Sequence, residues 1–569
     1  MLRFPGPSGA YDLSVLLKAV GYLTLIGLAR FLYLLYQNRM LFRRVQKDYG
    51  IAMLPHSLLF GHLPVIAKVA MKYKMPRDAH GHWMILYLKR EYPEITNKGI
   101  IYMDVWPVGY PMVAVYDPDM MAQFTQEHSL PKFWAMGQVE FKPFTNGEDL
   151  VTLEGPEWKA ARSLFNPGFS MKNLLSLVPD MIEETLVFRE RLRKAAESGE
   201  IVKLEEYTTD VTVDVIGRTV LGTRLETQKK PNLLMRTMRS QLALLYFELN
   251  FAKLLNPLRP LRHWLYNRTI RREIMPYILD TARNYERIEG PKTIIALALK
   301  TFAAEKGAVA TGRGGLSRSD VDNIPAAFLE RIVKHIKIFM FAGHDTTATA
   351  LAYAYALLGQ HPDKLAALRA EHNAVLGPDP RDAADRLRAD PALLGKLPYT
   401  LAVLRETLRL FPPVGGSIRQ APPGHLLVDP VTGVPTYPTH GFMLHSSAAT
   451  TQRDPDRWPD ADTFVPERFL PATAGAGKEG GGDNPLRVPR GAWRPFEMGP
   501  RNCIGQELVS VEVRLILALT AREFAVEQAY PAGAPVWMGT PAYQVSDPEL
   551  VATAHIKDGL PVRVKASGR

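Results

Sequence analysis

The chain has 569 residues, 46% apolar and 22% charged, the balance of a folded protein long enough for several domains. Its 69 basic and 58 acidic residues leave a net charge of +11, which suits an anionic membrane face or an acidic protein partner. Nucleic acid is not indicated, because no zinc-finger, RNP-type aromatic or heptad-plus-basic pattern accompanies the charge, and a single cysteine excludes an internal disulfide or a zinc site built on paired cysteines.

The first predicted element is apolar. YDLSVLLKAVGYLTLIGLARFLYLLYQ (Tyr11 to Gln37) is interrupted only by Asp12, Lys18 and Arg30, and about 20 apolar residues span a bilayer core. Lys18 and Arg30 lie near its ends, where long side chains reach the headgroups. The stretch is too long for a cleavable signal, and no small-x-small site follows it. The basic cluster Arg39, Arg43 and Arg44 behind it places the rest of the chain on the cytosolic side. We therefore expect a single-pass membrane anchor over residues 1–45 and one large domain over 46–569, since no linker divides the remainder.

That remainder reads as mostly α with a minor β-sheet. Strand-like pieces are short: GIIYMDVW, PMVAVYD and VPTYPTHGFML. Predicted helices cover PEWKAARSLF, Leu174 to Ser198, Asp210 to Leu221, Pro325 to Gly359, HPDKLAALRAEHNAVLG and LPYTLAVLRETLRLF. TGRGGLSRSD (Thr311 to Asp320) and the Gly-rich stretch Pro471 to Pro485 read as surface insertions. In EWKAAR, Trp158 and Arg162 are i and i+4 and share a helix face.

IKIFMFAGHDTTATALAYAYALL is apolar nearly all round, so the helix is buried or membrane-spanning. A second span would hold His344 and Asp345 at mid-membrane, which is expensive. Inside a soluble core the polar AGHDTT group becomes a functional candidate. Ala342 and Gly343 leave room beside the backbone, and Gly343 weakens the helix locally. Further on, Glu406 and Arg409 in LRETLRLFPP are i and i+3 on one face, a common surface pairing when it stands alone.

FEMGPRNCIG (Phe496 to Gly505) holds Cys503, the lone thiol. A lone cysteine is by default a small buried apolar residue. Here glycines at 499 and 505 permit positive φ and a close backbone. The following IGQELVSVEVRLILAL is helical, so Cys503 sits at a helix N-terminus that favours thiolate. Phe496 is placed to shield the sulfur, and Arg501 supplies a nearby cation. A chance match to F-x-x-G-x-R-x-C-x-G around a given cysteine is on the order of one in 10⁵.

On this loop the chain resembles the cytochrome P-450 superfamily of haem-thiolate monooxygenases. The string EWKAARSLFNPGFS further resembles fungal secondary-metabolism members. The resemblance implies the fold of that family, with haem b between the long I-type helix and the L-type helix and Cys503 as its axial thiolate. It implies that Phe496 and Gly505 line the haem, and that Trp158, Arg162, Arg419 in GGSIRQ and Arg501 meet its carboxylates. Glu406, Arg409 and Arg468 of PERF would form a buried structural triad. Asp345 and Thr346 would relay protons toward dioxygen held in a local opening of the helix, with His344 as packing. Lys132 to Phe144 would cover the haem, while Leu244 to Tyr266 would touch the bilayer. Phe339, Met340, Ala342 and Val414 to Gly416 would face the cofactor, with two glycines leaving room for a bulky substrate. One departure is QRDP, with Gln452 where the family usually has histidine.

The implied reaction inserts one atom of O2 into a lipophilic small molecule, such as a polyketide or terpenoid. No Gly-rich dinucleotide fingerprint occurs, so electrons from NADPH are expected through a separate membrane-bound NADPH-cytochrome reductase, at the endoplasmic reticulum with the catalytic domain cytosolic. Two other readings are a haem-thiolate isomerase or dehydratase, which needs no reductase, and a non-enzymatic haem-binding sensor.

Overall fold

Long apolar and amphipathic runs form helices, and the short β-branched pieces between them form small sheets. The structure, a computed structural model, describes residues 13–245, 256–284, 292–305, 324–470, 488–546 and 553–567. Both low-complexity insertions, and residues 246–255 of the expected bilayer-touching segment, lie outside the described residues.

Eight helices position the site: α1 (Leu13–Tyr49), α2 (Gly155–Phe165), α3 (Val178–Ser198), α4 (Leu204–Ile216), α5 (Arg259–Asn284), α6 (Ala326–Gln360), α7 (Pro398–Leu410) and α8 (Gln506–Thr520). At 1.5 Å per residue, α6 is about 52 Å long. Its apolar faces are buried by neighbours on several sides: α4 runs along it, and α7 and α8 pack from other directions. These helices share one hydrophobic core with α3.

A four-stranded sheet flanks the helices. It comprises β1 (Ile100–Met103), β2 (Met112–Val115), β3 (Gly416–Arg419) and, after the separate short strand β4 (Pro435–Pro438), β5 (Met443–Ser447). The order is β1-β2-β5-β3; β2 and β5 are parallel with Met112 opposite Met443, and β3 is antiparallel with Arg419 opposite Leu444.

Three boundaries differ from the sequence expectation. VPTYPTHGFML is two strands in different sheets, since Pro438 ends one and Gly441 turns the chain at φ +87°. The helix expected from Leu174 breaks at Leu177, and Pro179 opens α3 in its first turn. The helix expected from Asp210 starts earlier, at Leu204, and its last turn widens into a π-helix over Gly217–Leu221.

From Leu17, α1 is long and apolar enough to cross a membrane, and its most apolar window is wholly exposed. Its far end is different. Phe42 and Val45 are buried, and Arg39 is 2% exposed. Arg39 pairs with Asp104 and donates to the carbonyls of Leu59 (2.8 Å) and Trp106 (3.0 Å). Arg43 and Arg44 stay exposed, whereas Arg39 is drawn in because a buried carboxylate claims it.

Candidate active site

The cysteine loop is pinned to the sheet before it reaches the sulfur. Arg494 donates to Glu497 Oε1 through Nε (2.8 Å) and to Thr125 Oγ1 through Nη2 (2.7 Å). Glu497 also accepts from Ser417 Oγ on β3 (2.8 Å) and from Ser446 Oγ on β5. Burial opposes its charge, yet Arg494 and the two hydroxyls hold the Glu497 carboxyl below its usual range. The Cys503 N–H then donates to the Phe496 carbonyl (2.9 Å) and closes the turn. Gly499 is needed there: its φ is +89°, and a Cβ would lie 2.2 Å from the Thr125 carbonyl oxygen. Gly505 differs from expectation. Its φ of −83° needs no glycine, and a Cβ would only touch the sulfur at 3.7 Å.

Cys503 is accessible and yet ringed by protein. Burial pushes its thiol above the usual value; the amides of Gly505 and Gln506 at the start of α8, and the charge of Arg162, pull it back only in part. The expected bias toward thiolate is therefore outweighed by desolvation. The cation that acts on the sulfur is Arg162 rather than Arg501. Arg162 donates to the carbonyl and side-chain oxygens of Asn502 (2.8 and 2.9 Å). Arg501 turns to Glu154 (2.8 Å), with its guanidinium 4.4 Å from the Trp158 ring centre. Trp158, Arg162 and Arg501 are thus brought together around the cysteine loop, as the i, i+4 spacing on α2 requires.

Arg419, at the end of β3, is fully buried. Its Nε and Nη2 have no partner, and burial pushes its pKa down to about 10. A buried guanidinium with open donors calls for an anion.

On α7, Arg409 grips Glu406 with two bonds of 2.7 Å, and Arg468 Nε lies 3.5 Å from Glu406 Oε1; all three are at most 1% exposed. Arg409 also donates to the carbonyls of Gln452, Ala461 and Thr463. Gln452 ties this cluster to the cysteine loop. Its Nε2 donates to the carbonyls of Leu408 (2.9 Å) and Arg409 (3.2 Å), and its Oε1 accepts from the Arg494 N–H (2.9 Å).

On α6, Ala342 is exposed and Thr346 partly so, while most of their neighbours are buried. The helix continues unbroken there, so the expected local opening is absent; the Thr346 hydroxyl donates to the Ala342 carbonyl (2.9 Å). The space at Gly343 is also taken, because a Cβ would meet Ile216 Cδ1 of α4 at 2.8 Å. His344 is buried and its Nδ1 pairs with the Met340 carbonyl, as a packing role requires.

Asp345 carries partners that sequence reasoning missed. Thr553 donates to its carboxylate, and His555 Nε2 lies 3.6 Å from it. His555 Nδ1 in turn lies 3.1 Å from Glu205 Oε1, which also accepts from Thr349 (3.2 Å). These partners come from α4 and the C-terminal sheet, and no local spacing announces them.

Among the expected substrate positions, Ala342 and Val414 are accessible, whereas Met340 is buried and Phe339 packs edge-on against Phe165 (4.8 Å). The two glycines do not make room for substrate. A Cβ on Gly415 would lie 2.4 Å from His82 Cβ, and one on Gly416 would lie 1.6 Å from the Ser446 carbonyl oxygen. Gly415 is consumed by packing against the His82 side chain, and Gly416 by close approach to the backbone of β5.

The donor set fits haem b: an accessible sulfur enclosed by protein, a buried guanidinium at Arg419 with two nitrogens lacking a partner, and a small residue exposed on α6. Comparisons with known proteins agree. A family model described as Cytochrome P450 matches residues 86–535. The chain is 35% identical to "Cytochrome P450 monooxygenase polC" of Polytolypa hystricis over 524 residues, 92% of this chain and 89% of that protein. It is 33% identical to "Cytochrome P450 monooxygenase acrF" of Aspergillus aculeatus, covering 86% of this chain and 98% of the relative. In fold it is similar to the crystal structure of the cytochrome P450DA heme domain, with a TM-score of 0.65 at 20% identity, over 91% of this chain and 97% of that one.

Proposed function

The chain belongs to the cytochrome P450 family and is a cytochrome P450 monooxygenase, and from that premise we propose that it oxygenates a lipophilic secondary metabolite, such as a polyketide or terpenoid, at the surface of a membrane. Two relatives of fungal origin, each about one-third identical to this chain (35% and 33%) and named as monooxygenases, support a role in secondary metabolism, and the polyketide or terpenoid class is the proposal's own. The apolar length of α1 supports the membrane, with the endoplasmic reticulum as the proposed site, residues 1–45 as anchor and 46–569 as the cytosolic catalytic unit.

Cys503 would hold haem b, which when bound would supply the dioxygen chemistry that puts one oxygen atom into the substrate and releases the other as water, with two electrons and two protons delivered from outside it. The chain's own residues do the rest. Phe496 and Gly505 flank the sulfur, and Arg419 offers its open donors to a haem carboxylate, with Trp158, Arg162 and Arg501 bracing the loop beside it. Glu406, Arg409 and Arg468 hold the scaffold behind the sulfur and touch no reactant. Asp345, which accepts from Thr553 beside His555, and Thr346, on the accessible face of α6, move protons toward the cavity. Electrons come from NADPH through a separate reductase, whose acidic surface would be steered by the net charge of +11.

The observation that carries this reading is Cys503: accessible, enclosed, and at the head of α8. The test is the reduced protein under carbon monoxide. It should show the red-shifted Soret band of thiolate-ligated haem, and Cys503→Ala should lose it. NADPH oxidation should require reductase, O2 and a lipophilic substrate together; product formation without reductase would establish an isomerase instead, and spectral binding without turnover a sensor.

A further inference from the structure

A cleft of about 940 Å³ opens between α5, α6 and residues 142–146. Six basic side chains line it against one carboxylate, Glu330. Arg271 takes up that carboxylate at 2.5 Å, and Lys334 turns to Glu148 at 2.7 Å. Lys142, Arg268 and Lys337 have no carboxylate partner among the described residues.

Lys337 is the informative member. It is 3% exposed in the middle of α6, and its ammonium meets only neutral acceptors, the Phe144 carbonyl and Asn267 Oδ1, with the Phe144 ring 4.2 Å away. Burial pushes its pKa down to about 7; Asp149 opposes the shift and Lys334 adds to it. His263, 6% exposed, has no hydrogen bond of ordinary geometry at either ring nitrogen, though the Leu244 carbonyl lies near enough to favour its charged form. Burial, Arg259 and Lys337 together push His263 down to about 4. His263 is therefore neutral near pH 7, whereas a charged Lys337 faces only neutral acceptors, a costly arrangement that an oxyanion beside it would offset. At the mouth, α5 exposes an apolar stripe of Leu261, Trp264 and Leu265.

Lys337 and the exposed Ala342 lie on different faces of α6. They are five residues apart, which puts them about 140° apart around the helix axis.

We propose that the cleft binds a phosphate group, and that the apolar stripe beside it suits a phosphate carried on an amphiphile. Lys142 and Arg268 carry charge without a carboxylate partner among the described residues, and Lys337 would take up its proton beside an anion, a set that matches a phosphate, for which arginine and lysine are the usual ligands. The group could arrive on a phospholipid or as a soluble phosphate compound. The assignment does not depend on the substrate or on haem chemistry.

The test is amide hydrogen exchange on the full-length, haem-loaded chain in maltoside detergent, with inorganic phosphate or short-chain phosphatidic acid added against chloride of equal ionic strength. Segments 142–146, 259–271 and 330–337 should gain protection, and the exposed double variant Lys142→Gln, Arg268→Gln should weaken the apparent affinity at least tenfold while exchange elsewhere stays unchanged. Protection by both additives supports a soluble phosphate ligand; protection by phosphatidic acid alone supports a lipid headgroup. No protection at millimolar concentrations of either, or equal affinity in the double variant, overturns the site.

Discussion

Gln452 stands where the family's loop usually has histidine, and its amide makes three bonds that join α7 to the cysteine loop. An imidazole has one donor and one acceptor in its neutral form, so it cannot reproduce both donations and the acceptance. Gln452→Leu should strand three buried groups at about 1–3 kcal/mol each. We expect the urea midpoint to fall by the equivalent of at least about 3 kcal/mol, with Gln452→His costing about a third of that; equal midpoints for all three proteins would contradict the bridging role. Glu512 on α8 is the opposite case, a carboxyl the protein does not use. It is 2% exposed, Oε1 has no partner, and burial pushes its pKa well above the carboxylate range. The folded state therefore keeps a proton that the unfolded state releases above its ordinary value near 4.5, so this group's contribution falls as pH rises through that value. Glu512→Gln should gain stability over the parent, by more at pH 8 than at pH 5; a difference constant across that range would show that Glu512 titrates normally.

At the scale of elements, the decisive contacts are backbone approaches that a residue pattern does not display. Gly416 reads as a gap left for substrate, yet β3 and β5 come so close that a methyl group would collide with the Ser446 carbonyl. Gly416→Ala should therefore unfold or displace β3, at a cost of at least about 3 kcal/mol, and loosen Arg419 at the strand's end. Thermal melting of the haem-free and haem-bound protein checks this: wild-type stability with altered turnover of bulky substrates would restore the pocket reading. Gly343 shows the same logic between helices, since Ile216 of α4 fills its place on α6. The triad was easier to foresee. Glu406 and Arg409 are neighbours on one helix, and only the arrival of Arg468 needed the fold.

For the whole molecule, α1 has two unlike halves. Its first half is bare apolar surface, and its last turns carry Arg39 into a buried pair with Asp104, which His56 also contacts at 2.8 Å. Burial works against the Asp104 charge, but His56 and Arg39 hold the carboxyl below its usual value. A truncation that begins the chain at Leu34 should keep the catalytic unit folded while releasing it from membranes. Beginning at Gln46 removes Arg39, Phe42 and Val45, leaving Asp104 paired with His56 alone among the described residues, and the broken buried pair should cost about 3–5 kcal/mol. Membrane flotation and urea unfolding of the two truncations separate anchoring from stability; equal stabilities would show that the α1 contact is dispensable.

The sequence by itself determined what is local or unique: one thiol in a loop of fixed spacing, the helical runs, the i, i+3 and i, i+4 pairs, and an apolar run long enough to cross a membrane. These follow from covalent neighbours, so composition and periodicity suffice. Only the tertiary structure decided which arginine keeps open donors, that Arg162 rather than Arg501 acts on the sulfur, that His555 and Thr553 meet Asp345, and that Gly343, Gly415 and Gly416 serve close packing. Each of those depends on which distant segment arrives and how much water it displaces, and desolvation and close approach belong to the assembled fold and to no single stretch of chain.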